Sequence, residues 1–261
     1  MEELETDGLV VRETQTGTAD KIITLLTPSY GRLSVSWKGA SSLKKKYSAS
    51  AQPFAYSTFQ LRKKGDYYYV KEAAHIESFI NIRYDIERLS LANYICDVAC
   101  DIAGENEKNE ELMRLVLNTL YAISNKPDIP NDLIKGAFEF RLASQEGFEP
   151  DLTVCGNCGK EIEGDTYLDV MNGRMICDSC ISKIQNPQWS EDEGTSKIYL
   201  RLTAKTLSAL RHIEKSDIKR FLSFRLEKED LSNFSAVCEK YLLNHLEHNY
   251  KSLDYYKSIK I

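Results

Sequence analysis

At 261 residues the chain can bury a sizeable core in two domains, and 42% hydrophobic with 28% charged residues exclude wholesale disorder. No stretch reaches the roughly 18 uninterrupted apolar residues of a membrane helix. The acidic start, Met1-Glu2-Glu3-Leu4-Glu5, has no apolar run, so neither a membrane span nor a secretory signal is expected.

Residues 1 to about 80 read as strands. Leu9-Val10-Val11 is an apolar run, Gln15-Thr16-Gly17-Thr18 a turn, and Ile22 to Leu26 a β-branched and apolar segment. After Tyr30-Gly31, Leu33-Ser34-Val35-Ser36-Trp37 alternates with period two. A basic loop with Lys44, Lys45 and Lys46 follows, then strands over Phe54 to Leu61 and Tyr67 to His75, joined by a tight turn at Gly65-Asp66. Five short strands in this length predict a small closed barrel, of which the OB-fold is the common five-stranded form.

From about Asn81 the period becomes helical. Leu89, Ala92, Ile95, Cys96 and Ala99 share one face, Leu112 to Tyr121 makes a second helix, and a third runs from about Asp132 to Glu146, ended by Gly147. A polar loop over 186–196 precedes a helix capped by Thr203, and a last helix begins near Asp230. The odd cysteines Cys96, Cys100 and Cys238 fall in helical patterns, where they read as small buried hydrophobes. The expected architecture is α+β and multidomain: an OB-fold over 1–80, then an all-α helical domain over 81–261 that carries a cysteine module at 151–185.

That module holds Cys155/Cys158 and Cys177/Cys180, two Cys-x-x-Cys pairs with 18 residues between them. Two residues between the members of each pair let both sulfurs turn toward one ion, and four thiolates satisfy the tetrahedral preference of zinc. Gly156 and Gly159 suit a tight knuckle. Four sulfurs fill the coordination sphere and leave no place for water, which points to one structural zinc ion and away from catalysis. Zinc deaminases pair Cys-x-x-Cys with His-x-Glu. Here His-x-Glu occurs three times, at His75, His212 and His245, and the second cysteine pair would go unexplained. With four of seven cysteines in metal spacing, a reducing cytoplasm fits better than a disulfide framework.

The net charge of −5 hides an asymmetry. Between Lys21 and Lys71 ten basic residues face one acid, Asp66, and nine aromatics are interleaved with them. Single-strand binders use this mixture, because cations track phosphates while aromatic faces stack on bases. Phe54, Phe59 and part of Tyr67 to Tyr69 are assigned to the core. Trp37 beside Lys38 and Tyr47 beside Lys46 are assigned to exposed stacking, with Lys44, Lys45 and Lys46 as phosphate contacts and Lys21 and Arg32 as further DNA-binding cations. A second basic stretch, Lys197 to Lys228, consists mostly of solvated helix faces that could extend a nucleic-acid path or receive an acidic peptide tail.

At these residues the sequence resembles the RecO family of bacterial recombination mediators. Gly8-Leu9-Val10-Val11-Arg12, Asp20 to Thr27, Tyr30-Gly31-Arg32-Leu33, Lys38-Gly39-Ala40 and Gln52-Pro53-Phe54 follow in that family's order. So do Phe138 to Leu142, Gly147 to Leu152 and Cys155, and the closing Tyr241-Leu242, His245-Leu246-Glu247 and Lys251-Ser252-Leu253. The resemblance implies an OB-fold, a helical domain and a zinc module inserted between helices. It also implies a cytoplasmic, nucleoid-associated mediator of RecF-pathway DNA repair and recombination. Such a protein binds single- and double-stranded DNA, anneals complementary strands, and works with RecR and the tail of single-strand-binding protein to load RecA. No nucleotide-binding loop is present, since Gly159-Lys160 is followed by Glu161, and no catalytic triad stands out, so a non-enzymatic role is expected. The residues alone leave an alternative open, an OB-fold and zinc-ribbon protein that binds RNA.

Overall fold

The computed structural model describes residues 2–16, 18, 20–38, 49–184 and 198–260. The basic loop with Lys44, Lys45, Lys46 and Tyr47, the polar loop 186–196 and Lys197 lie outside the described residues. Within them run nine strands: β1 (Glu2–Gln15), β2 (Lys21–Thr27), β3 (Gly31–Trp37), β4 (Ala55–Lys64), β5 (Tyr67–Ser78), β6 (Asp151–Cys155), β7 (Thr166–Asp169), β8 (Arg174–Ile176) and β9 (Tyr199–Leu202). The helices among the same residues are α1 (Ile86–Ile102), α2 (Glu110–Asn125), α3 (Asn131–Gln145), α4 (Asp178–Ile184), α5 (Ala204–Lys215), α6 (Lys228–Leu246) and α7 (Lys251–Ile259). None of these helices is long and apolar enough to cross a membrane.

The chain forms two compact units, Met1–Asp128 with Tyr250–Ile261, and Ile129–Asn249. In the first, β1 to β5 close into a barrel in the order β1-β2-β3-β5-β4, an OB-fold. Closure depends on the length of β1, which serves two neighbours. Glu2 to Leu9 pair with β4, and Leu9 to Gln15 pair with β2. A register shift between Val10 and Arg12 bends the strand where it changes partner. A short parallel pairing, Val35 with Tyr68 and Ser36 with Tyr69, completes the ring.

Period-two alternation fills the barrel. Leu33, Val35 and Trp37 of β3 meet Phe59 and Leu61 of β4, Ile23 and Leu25 of β2, and Val10 of β1 in one buried cluster. Phe54 turns the chain into β4 with a φ of 65°, an uncommon conformation for a bulky residue. Its amide donates to the Val10 carbonyl at 2.7 Å and its ring is buried, which holds the turn in place.

The helices of this unit are tied to the barrel through main-chain bonds. Arg32 donates its amide to the Gly104 carbonyl at 3.0 Å, and Asn106 donates to the Tyr30 carbonyl at 2.9 Å. Gly31 must be glycine here. Its φ is +59°, and a Cβ would lie 2.0 Å from the Gly104 oxygen. Asp85 caps α1 by accepting the amides of Glu87 and Arg88. The chain returns at its far end, where Tyr250 packs edge-to-face on Tyr94 and donates its hydroxyl to Asp101 at 2.9 Å.

In the second unit α3 and α6 approach closely because Gly136 faces the Phe234 ring, where a Cβ would sit 2.6 Å from a ring carbon. Between them Lys135 is buried with Glu139 at 3.0 Å and Glu239 at 2.9 Å. Burial alone would lower the Lys135 pKa, but the two carboxylates hold it above its ordinary value. In the cysteine region β6-β8-β7-β9 form a four-stranded sheet inserted among the helices. Cys96, Cys100 and Cys238 are buried.

Candidate metal centre and nucleic-acid face

The first knuckle is a short hairpin. Asp151 organises its start by accepting the amide and hydroxyl of Thr153. The Cys155 amide then donates to the Lys160 carbonyl, the Gly159 amide to the Cys155 carbonyl, and the Ile162 amide to the Thr153 carbonyl, at 2.8 to 2.9 Å. Gly159 takes a φ of +70° at the turn. Gly156 is small for a different reason: Arg174 lies across it, and a Cβ would meet the Arg174 Cδ at 2.6 Å. In the second knuckle Cys177 follows β8 directly and Cys180 sits in the first turn of α4, its amide donating to the Cys177 carbonyl.

These two turns bring Cys155, Cys158, Cys177 and Cys180 together with all four sulfurs within 4.8 Å of one another. Cys158 Sγ and Cys177 Sγ are 3.8 Å apart, far longer than a disulfide bond. A tetrahedral ion with metal–sulfur bonds of about 2.3 Å separates its sulfurs by about 3.8 Å, so the donor set fits such an ion. The Cys177 thiol is pulled down to about 6. The Ser179 hydroxyl, 3.2 Å from its sulfur, is the largest influence, and the Cys180 amide adds to it. The four thiols can therefore hold a metal ion, and the histidines of the His-x-Glu triplets are not part of the cluster.

The barrel sorts the sequence-assigned DNA residues differently. Trp37 is a correction. Only 4% of it is exposed, and its ring meets Phe59 edge-to-face at 5.9 Å in the barrel core. Adjacency to Lys38 misled, because successive strand residues face opposite sides, and Trp37 shares the inward side with Leu33 and Val35. Lys21 pairs with Glu13 at 2.5 Å. Arg32 donates to the Cys100 carbonyl at 2.9 Å, in the last turn of α1, and lies 3.7 Å from Glu105. Lys38 is exposed at the end of β3.

Sequence reasoning passed over the tip of the β4–β5 hairpin. Arg62-Lys63-Lys64 leads into the Gly65-Asp66 turn and Tyr67 leads out, 70% exposed. Lys63 Nζ lies 5.5 Å from the centroid of the Tyr68 ring. Glu3 draws on two cations of the same sheet, Arg62 at 3.2 Å and Lys71 at 3.1 Å, and the Lys71 contact, then the Arg62 contact, lower its pKa. The available signal was the cationic run beside a two-residue turn, since a tight turn carries its flanking side chains out of the barrel.

One polar pair resembles catalytic machinery without its function. His212 Nε2 lies 3.2 Å from Ser223 Oγ, but also 3.1 Å from the Arg220 carbonyl. A ring nitrogen bonded to a carbonyl carries the proton there and is not free to act as a base for the serine.

Comparison with known proteins covers the whole chain. The family Recombination protein O N terminal matches residues 1–79, and Recombination protein O C terminal matches residues 83–254. The chain is 32% identical over 259 residues to a DNA repair protein RecO of Acetivibrio thermocellus, covering 99% of this chain and 98% of that one. It is 27% identical over 257 residues to proteins of the same name from Alkaliphilus metalliredigens and a Thermoanaerobacter species, again across at least 98% of each chain. With the barrel, helices α1 to α6 and the four-cysteine insertion all inside the matched regions, the chain belongs to the RecO family.

Proposed function

We propose that this protein is a non-enzymatic mediator of DNA repair by homologous recombination. It binds single- and double-stranded DNA on the OB-fold, anneals complementary strands, and with RecR helps load RecA on DNA coated with single-strand-binding protein. The observation that carries the reading is the match to Recombination protein O over both halves of the chain, on a barrel whose β4–β5 hairpin presents cations and an exposed tyrosine. Annealing requires no catalytic group, because screening phosphate repulsion while holding two strands on a cationic surface is sufficient. In this reading 1–80 is the nucleic-acid-binding domain. Lys38, Lys44, Lys45, Lys46 and Tyr47 contact DNA together with Lys63, Lys64 and Tyr67, while Lys21 and Arg32 stand at the margin. The helical domain, 81–261, receives the acidic tail of single-strand-binding protein, and its 151–185 module holds one structural zinc ion on Cys155, Cys158, Cys177 and Cys180. Such work places the protein in the cytoplasm with the nucleoid.

The test is annealing of complementary strands coated with single-strand-binding protein. The protein is expected to accelerate it, less so as salt rises. Replacing Lys44, Lys45 and Lys46 by Ala, or Lys63 and Lys64 by Ala, is expected to slow annealing and to flatten the salt dependence of DNA binding by about one unit per lysine. Unchanged annealing in both variants would remove the DNA site from this part of the barrel. Preferential binding of RNA over DNA oligonucleotides would overturn the mediator reading in favour of an RNA-binding protein.

A further inference from the structure

The first metal-binding knuckle is gripped from outside by a single side chain. Arg211, on α5, donates to the Leu152 carbonyl from Nε at 3.1 Å and from Nη2 at 2.7 Å, and its Nη2 also donates to the Ile162 carbonyl at 3.0 Å. Leu152 and Ile162 stand on the two arms of the hairpin that carries Cys155 and Cys158, and both residues are buried. A buried carbonyl without a donor is costly, and the ladder does not supply one continuously here. The pairing of β6 with β8 shifts register between Asp151 and Cys155. The planar guanidinium, with its N–H groups fixed in a fork, is pre-organised to hold both arms at once and adds a second bond to Leu152 from Nε, whereas an ammonium on a flexible stem loses more freedom for each bond and has no second nitrogen. Helix α5 is itself anchored to the same region, because Asp165 accepts the Ala204 amide at 3.0 Å and pairs with Arg201 at 2.7 Å.

We propose that Arg211 is a positioning residue for the metal centre: by fixing the separation of the Leu152 and Ile162 arms it holds Cys155 and Cys158 at the spacing the ion requires. The inference rests on the four-thiolate zinc reading above. Its test is zinc competition on the full-length protein, with release followed by a chromogenic chelator. Arg211→Ala is expected to weaken zinc binding about tenfold or more, the scale seen when groups that orient metal ligands are lost. Arg211→Lys, which keeps the charge and N–H donors but not the fixed fork or the Nε bond, is expected to recover part of that loss. If Arg211→Ala does not fold, the comparison of Arg211→Lys with the unaltered protein carries the test, with intermediate affinity expected. Leu207→Ala serves as the control, because it loosens the buried face of the same helix without touching either carbonyl. Zinc binding unchanged in the Arg211 variants, or weakened equally by Leu207→Ala, would overturn the proposal while leaving the four-thiolate site intact. Absence of zinc from the unaltered protein would overturn both.

Discussion

The barrel and the cysteine-bearing insertion solve the same problem of cohesion by opposite means. The barrel buries Phe59, Trp37, Leu25 and Val35 in one apolar cluster, and its polar links lie around that cluster. The insertion is a small sheet whose knuckles gather four thiols and whose first hairpin has its two arms joined by Arg211. A closed barrel removes its own edges, whereas a short sheet buries less apolar area and leans more on directional bonds between named groups. The first kind of cohesion is non-directional and tolerant; the second depends on a few atoms.

The sharpest way to break this contrast is to deny the four thiols the zinc ion proposed for them. Cys155→Ser, or a strong chelator, is expected to unfold the insertion, since structural zinc contributes on the order of 10 kcal/mol, comparable with the whole stability of a domain. Hydrogen exchange should rise across residues 151–184 while β1 to β5 keep their protection; equal loss in both regions would erase the distinction. Phe59→Ala, in the barrel, is expected to cost about 3–5 kcal/mol in denaturant titration and to leave zinc content unchanged. A smaller effect concerns charge. Glu3→Gln frees Arg62 and Lys71 from their shared partner and is expected to raise DNA affinity a few-fold at low salt, with a steeper salt dependence. Weaker binding by this variant would mean that Glu3 orders the cations for DNA instead of competing with it.

The smallest expected effect tests the polar side of the comparison. Burial, reinforced by the Glu149 carboxylate, raises the pKa of Glu214, and its Oε2 is buried without a hydrogen-bond partner among the described residues. The native state therefore holds this proton more tightly than the unfolded chain does, and stability falls as pH rises from the unfolded value, about 4.3, through the native one. Glu214→Gln is expected to raise the thermal midpoint slightly at pH 7.5, with the gain vanishing near pH 4. A gain that persists at pH 4 would exclude ionisation as its cause.

What could be read from sequence follows the same divide. Five strands were legible because apolar residues recur with period two along continuous segments, and the metal ligands because their spacing is local. The inward side of Trp37 was not legible from its neighbour Lys38; it follows from the register that also turns Leu33 and Val35 inward. The strand Tyr199–Leu202 was missed because it is short and exists only through pairing with β7. Arg211 carried no motif at all, since its partners are main-chain carbonyls 59 and 49 residues away. The cations of the β4–β5 tip were visible as letters, but only the turn geometry separates them from the paired Arg62 and Lys71.

The return of α7 to the first unit, through Tyr250 against Tyr94 and Asp101, has a consequence for biosynthesis. Ile129–Asn249 is contiguous, so all of its residues have left the ribosome before the other unit has received its last helix. A growing chain usually completes its domains from the N-terminus onward. Here the order is inverted: the unit that opens the sequence must wait for Tyr250 and α7 before it can close, while the later-translated unit with the four cysteines has its full set of residues first.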